Sequence, residues 1–154
     1  MAYSTINKST AHFNTKLYAG NGGTNNITGV GFQPDWVWIK KRNATANHKI
    51  FDAVRGVTKI IGSNESDAES TVATSLTAFD SDGFTVGSDT SVNGNLLVSW
   101  NWKANGAGSA NTDGTINSTA TSANTTSGFS IVKYTGTGSA GTVGHGLGAV
   151  PEVV

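Results

Sequence analysis

The chain has 154 residues, enough for one sizeable core with little left over. Ten cations balance ten anions and only 13% of residues are charged, which excludes a general field for nucleic acid or an anionic membrane. There is no cysteine, hence no disulfide framework, thiolate metal site or thiol nucleophile, and no apolar run approaches transmembrane length. Met1-Ala2-Tyr3-Ser4-Thr5 carries no basic and apolar signal regions, so manufacture and use without Sec export are expected.

In chain order, residues 1–12 are polar around Ile6 and predict an edge strand. Residues 13–19 predict a strand, Gly20–Gly23 a loop tip and Asn26–Gly31 a short strand and turn. Pro34 suits a strand entry, because it cannot donate a backbone hydrogen bond. Trp36-Val37-Trp38-Ile39 then reads as a central strand stopped by Lys40-Lys41-Arg42. Residues 48–55 and 59–62 predict further strands, and 63–74 a polar loop or single helical turn. Leu76–Phe79 and Phe84–Gly87 flank a tight turn at Asp80-Ser81-Asp82-Gly83, which is a hairpin. Asn93-Gly94 predicts a second hairpin turn. In 95–103 the even positions Leu96, Val98, Trp100 and Trp102 are apolar and the odd ones mostly polar, so the even face is expected in the core. Short strands, frequent turn glycines and no long helix give an all-β fold, an antiparallel jelly-roll-like β-sandwich.

The chain also repeats itself. Phe13 to Tyr18, followed by Gly20 and Gly22, matches Phe129 to Tyr134, followed by Gly136 and Gly138. Gly29-x-Gly31 matches Gly144-x-Gly146, Pro34-Asp35 matches Pro151-Glu152, and Thr5-Ile6-Asn7 matches Thr115-Ile116-Asn117. The offset drifts from 110 to 117 residues, a period of tandem domains rather than solenoid turns. The organisation expected is a sandwich unit at 4–103, a Gly/Ser/Thr/Asn-rich linker at 104–113 and the start of a second unit at 114–154. In that second unit 115–120 is expected as an edge, 129–135 as a strand and 151–154 as the entry to another. Val154 stands where unit one is in mid-strand. Two readings follow: the chain continues beyond it, or the piece pairs onto another domain or subunit with Ile131 and Tyr134 at the interface.

Candidate chemistry is sparse. Trp36 and Trp38 lie i,i+2 and share a strand face, a stacking platform for sugar rings or a piece of core. Lys40, Lys41 and Arg42 are candidate ligands for an acidic glycan or phosphate, or a solvated strand end. Asp80-Ser81-Asp82-Gly83 has the opening spacing of a calcium loop, but Ser91 stands where the bidentate carboxylate is needed, so a turn is expected and no metal site. His48 and Asp52 are four apart without a Gly-x-Ser-x-Gly elbow, and no carboxylate pair suggests glycoside cleavage. Arg55 is as well placed to pair with Asp52 in a structural contact. Gly144-His145-Gly146-Leu147-Gly148 lacks the Lys-Ser/Thr of a phosphate loop. No catalytic residue and no cofactor are expected.

Five strings together resemble a known family: Phe13…Tyr18-x-Gly20, Gly31-Phe32-Gln33-Pro34-Asp35-Trp36-Val37-Trp38-Ile39-Lys40, Phe51-Asp52-x-Val54-Arg55-Gly56, Ser75-Leu76-Thr77-x-Phe79-x-x-Asp82-Gly83-Phe84 and Val98-x-Trp100-Asn101-Trp102-Lys103-Ala104. They are similar to a tandem domain of tailed-phage virion proteins, tail fibre or structural proteins of phages of marine bacteria and cyanobacteria. The resemblance implies a concanavalin- or SPRY-like sandwich in a non-enzymatic virion component, a tail fibre or spike module for host attachment. It implies other virion proteins as partners, a homo-oligomer with a trimer favoured, and a host-surface glycan as a candidate ligand, with no nucleic acid and no membrane. The alternatives are a capsid-decorating protein and a free lectin-like module.

Overall fold

The computed structural model describes residues 6–154. It is an all-β fold of antiparallel sheets. Among the described residues twelve strands run in chain order: β1 (Phe13–Ala19), β2 (Asn25–Thr28), β3 (Trp36–Lys41), β4 (Lys49–Asp52), β5 (Lys59–Ile60), β6 (Ser70–Thr71), β7 (Leu76–Asp80), β8 (Gly83–Val86), β9 (Leu96–Trp102), β10 (Ser109–Asn111), β11 (Ser118–Asn124) and β12 (Phe129–Tyr134). One helical turn, α1 (Thr90–Asn93), precedes β9.

Two sheets make the sandwich: β1-β9-β3-β4 and β2-β8-β7. Val37, Ile39, Phe51 and Leu97 from the first meet Ile27, Leu76, Phe84 and Val86 from the second, with Val92 of α1 and Ile60 closing the cluster. Each such side chain contributes roughly 1.5–3 kcal/mol by leaving water. The β7–β8 hairpin turns at Asp80–Gly83 as the Asp-Gly signal predicts. Gly83 is required there, because its φ is 153° and a β-carbon would lie 1.9 Å from the Ile27 carbonyl oxygen.

Buried polar groups lock the ends of the sandwich. Asn93 is fully buried. Its Oδ1 accepts from the Asn21 amide and from Asn25, and its Nδ2 donates to Asn21 Oδ1 and to the carbonyls of Gly23 and Gly87. One side chain thus joins three loops. Asp35 is also buried, and its carboxylate accepts from Gln33 Nε2 and the Ala104 amide. Asp52 pairs with Arg55 through the guanidinium and the backbone amide, the structural contact expected for those residues.

Several sequence expectations are corrected. Residues 1–5 lie outside the described part, but Ser9–Ala11 form a 3-10 turn where an edge strand was expected. Asn93-Gly94 is no hairpin turn: Asp89 caps α1 by accepting from the Ser91 amide, and the positive φ falls one residue later, at Asn95 (71°). The stretch 104–113 is not a free linker, since β10 lies inside it and pairs with β11, while Ala104 is buried. In the second unit the strand is Ser118–Asn124 rather than 115–120, and residues 151–154 form no strand.

The largest correction concerns β9. Leu97, Ser99 and Asn101 are fully buried in the sandwich, and Trp100 and Trp102 lie on the opposite, half-buried face. The alternation is real, but its phase is inverted, although Val98 on the outer face is buried (8%) as well. Two of the inward residues are small or polar, and Asn101 Nδ2 satisfies itself on Ser99 Oγ and on the Ser99 and Asn14 carbonyls. Phe84 sits in the core.

Candidate functional site

Strand alternation and register create the outer face of the first sheet. β3 and β9 pair with Trp36 opposite Trp102 and Trp38 opposite Trp100. Alternation puts all four indoles on the face turned away from the core. β1 extends the row, with Phe13 opposite Trp102 and the two ring centroids 4.7 Å apart. The result is an aromatic layer across three strands, built from cross-strand pairs.

The third sheet, β10-β11-β12, rests on part of this layer. Phe129 at the start of β12 stacks on Trp102, with centroids 6.1 Å apart and planes 22° apart, and meets Trp36 edge-on at 6.3 Å. The Asn105 amide donates to Ser122 Oγ of β11, which ties the two sheets at their junction. Trp38 lies further out, edge-on to Trp100 at 5.9 Å, and its indole N–H donates to His48 Nδ1 at 2.7 Å.

Between the tryptophans, β12 and the terminal segment runs a groove of about 980 Å³. Trp36, Trp38 and Trp102 line one wall, and Val132, Tyr134, Leu147 and the 149–154 segment the rest. Its ionisable lining is His145, Tyr134 and Glu152. Such a surface can stack on flat or ring-shaped ligands and bury apolar side chains.

The structure therefore brings Trp36 and Trp38 to the groove. It does not bring the cations. Lys40 shares their face two residues on, but it stands opposite Val98 and its ammonium donates to the Lys41 carbonyl. Lys41 stands opposite Leu97, and Arg42 is exposed beyond the strand end. None of the three lines the groove. His48 and Asp52 are engaged elsewhere, with Trp38 and Arg55 respectively. Among the described residues no group of three or more His, Cys, Asp or Glu is placed to share a metal ion.

Asp82, in the expected Asp80–Gly83 turn, ties down the neighbouring turn at Gly29–Gly31. Its carboxylate accepts from the amides of Gly29 and Gly31 at 2.9 and 2.6 Å. The Gly31 and Gly29 hydrogen bonds hold this carboxyl below the usual carboxylate range.

Trp102, Phe129 and Val132 are among the groove residues that sequence reasoning missed, whereas Tyr134 was expected at an interface. Ile131, expected beside it, is buried. Trp102 was assigned to the core by the alternation of β9. Phe129 and Val132 come from β12, and only the tertiary contact reveals that its sheet lies over the first.

Fold and site together define an antiparallel β-sandwich module with a tryptophan-lined groove where the β10-β11-β12 sheet meets the first sheet. Residues 8–154 match the family described as a domain of unknown function, DUF7483, and the chain belongs to that family. No curated protein matches the chain. No solved structure matches it.

Proposed function

We propose that this chain is a non-enzymatic structural protein of a tailed-phage virion, a tail fibre or spike module that takes part in host-surface attachment. The observation that carries the reading is the sequence repeat, with which the backbone geometry agrees at some positions but not at Gly29 and Gly144, since only Gly29 has a positive φ (79°). Gly22 and Gly138 adopt φ of 73° and 74°, and Gly31 and Gly146 adopt 92° and 70°. Asn14 Nδ2 donates to the Val30 carbonyl, and Ser130 Oγ, at the same repeat position, donates to the carbonyl of His145. Tandem β-modules of few charges suit a long, repetitive fibre whose partners are other virion proteins and further copies of itself, with a trimer as the favoured assembly. Immunogold electron microscopy on particles that carry the chain tests this. Label at the tail tip or fibres is expected. Its absence from purified particles overturns the proposal, and label spread over the capsid favours a decorating protein instead.

The groove favours one second reading, a carbohydrate-binding module. Trp36 and Trp38, which line it, offer indole surface for sugar rings. A glycan array tests it: saturable binding that Trp38→Ala abolishes supports a lectin, and a blank array leaves the module structural.

A further inference from the structure

Three Asn-Gly steps occur in the sequence, at Asn21-Gly22, Asn93-Gly94 and Asn105-Gly106. Such a step can close on itself, because the glycine amide nitrogen can attack the side-chain carbonyl carbon of the asparagine. Glycine allows the approach, since it has no β-carbon to hinder it or to restrict the backbone. Two conditions decide whether a folded chain permits the reaction. The side chain must be free to turn, and the glycine N–H must not be held by another group.

The fold meets both conditions at one step. Asn93 is fully buried, and both ends of its side-chain amide are held, by Asn21, Asn25 and the carbonyls of Gly23 and Gly87. Asn21 is exposed but tied. Its Oδ1 accepts from the Gly23 amide and from Asn93 Nδ2, and its Nδ2 donates to the Thr24 carbonyl at 3.1 Å. The nucleophile there is occupied too, since the Gly22 amide donates to the Asn93 carbonyl at 3.3 Å. At Asn105 the side chain is exposed and has no hydrogen-bond partner among the described residues. Only its backbone amide is engaged, with Ser122 Oγ at 2.8 Å. The Gly106 amide is likewise unpartnered among the described residues. Gly106 has a φ of 63°, and a β-carbon there would meet nothing within 4 Å, so the step stands in open space.

We propose that Asn105 is a site of spontaneous deamidation and isoaspartate formation, placed at the joint between the first and third sheets. Solvent base takes the Gly106 amide proton, and the nitrogen bonds to Asn105 Cγ. The Cγ–Nδ2 bond breaks, and Nδ2 leaves as ammonia with the proton that Gly106 has given up through solvent. The product is a succinimide. Water then opens the ring, giving aspartate from cleavage at one carbonyl and isoaspartate from cleavage at the other. Isoaspartate routes the main chain through the former side chain and lengthens it by a methylene. No oxidant, reductant or enzyme enters. The change puts a new negative charge, and in the isoaspartyl form a longer backbone, into the connection from β9 to β10, next to the Asn105–Ser122 bond. The inference goes beyond the virion reading and stands independently of it.

The test uses the full chain, kept folded in buffer at about pH 9 and, in parallel, unfolded in urea. Trypsin separates the three steps onto fragments 17–40, 60–103 and 104–133. Mass spectrometry with electron-transfer fragmentation locates each conversion of amide to acid, and an isoaspartyl methyltransferase counts the isoaspartate. In the folded chain Asn105 should convert at least about tenfold faster than Asn21 or Asn93, each of which must first open its hydrogen bonds. In urea the three rates should converge. Asn105→Gln, whose longer side chain closes a ring more slowly, should remove most of the methyl-accepting product and leave circular dichroism unchanged. Conversion of Asn21 or Asn93 as fast as Asn105 in the folded chain overturns the proposal. So does an Asn105 that stays intact in the folded chain, whatever happens in urea.

Discussion

Leu96 and Leu97 are adjacent in β9 and point to opposite faces, so replacing each by alanine measures the phase of the strand directly. Leu97 is fully buried in the sandwich core and Leu96 is 43% exposed on the outer face. Leu→Ala removes about three carbons beyond the β-carbon, worth about 2.4 kcal/mol of transfer free energy when buried. The cavity left at Leu97 adds to that, for a total of about 3–4 kcal/mol. At Leu96 the rim can close and only part of the area is lost, so about 1 kcal/mol is expected. Strand propensity changes equally in both and cancels from the comparison. In urea, with a slope of about 2 kcal/mol/M, the Leu97→Ala midpoint should fall by about 1.5–2 M and that of Leu96→Ala by about 0.5 M. Tryptophan fluorescence and far-ultraviolet circular dichroism should report coincident transitions with unchanged slope. If Leu96→Ala costs as much as Leu97→Ala, the core lies on the even face and the assignment of the tryptophans to an outer layer is wrong.

Asn93→Ala strands several buried partners and should cost about 3 kcal/mol, a melting temperature lower by roughly 6–12 °C; calorimetric scanning that shows less than about 2 °C would contradict the three-loop junction. Burial pushes the Tyr18 phenol far above its ordinary value of 10.0. The stability this provides is complete below pH 10 and is lost as pH rises above it, because the unfolded chain ionises first, so stability should fall by up to about 1.4 kcal/mol per pH unit. Tyr18→Phe should flatten that fall in urea titrations between pH 9 and pH 11, and an unchanged slope would refute it. Asp82 has a lowered folded-state pKa, so its contribution is present above the ordinary 3.8 and is lost as pH falls through the folded value. The difference in melting temperature between wild type and Asp82→Asn should shrink below about pH 4, with millimolar calcium changing neither protein; a pH-independent difference or a calcium-induced rise would sink the turn assignment.

Local signals were legible wherever one residue type fixes one geometry. The Asp-Gly hairpin, the strand entry after Pro34 and the Asp52–Arg55 contact follow from chemistry within a few residues, and each appears in the structure. The end of α1 was not legible. Asn93-Gly94 carries a turn signal, but Asp89 three residues upstream of Val92 caps a helical turn, and tertiary contacts bury the Asn93 side chain. Strand β10 was hidden for a different reason. Ser109-Ala110-Asn111 has the composition of a linker, and its strand exists through pairing with β11 rather than through propensity.

The phase of β9 shows why the site resisted reading. Period-two alternation reveals that a strand has two different faces. It does not say which one meets the core when both are covered. In β9 the more apolar face, with Trp100 and Trp102, forms part of the aromatic layer, and the face with Ser99 and Asn101 goes inward, where Asn101 Nδ2 finds partners on Asn14 and Ser99 while its buried Oδ1 has none. A tryptophan pair on one strand is ambiguous by itself. Two pairs on neighbouring antiparallel strands, in register, make a layer of four, and such a layer needs its own cover. Phe129 supplies part of that cover, and it is reached through the repeat that sets Phe129 against Phe13. The groove is what Phe129 leaves open. Its existence follows from the β10-β11-β12 sheet lying against the first sheet, a tertiary relation that no periodicity within a strand encodes.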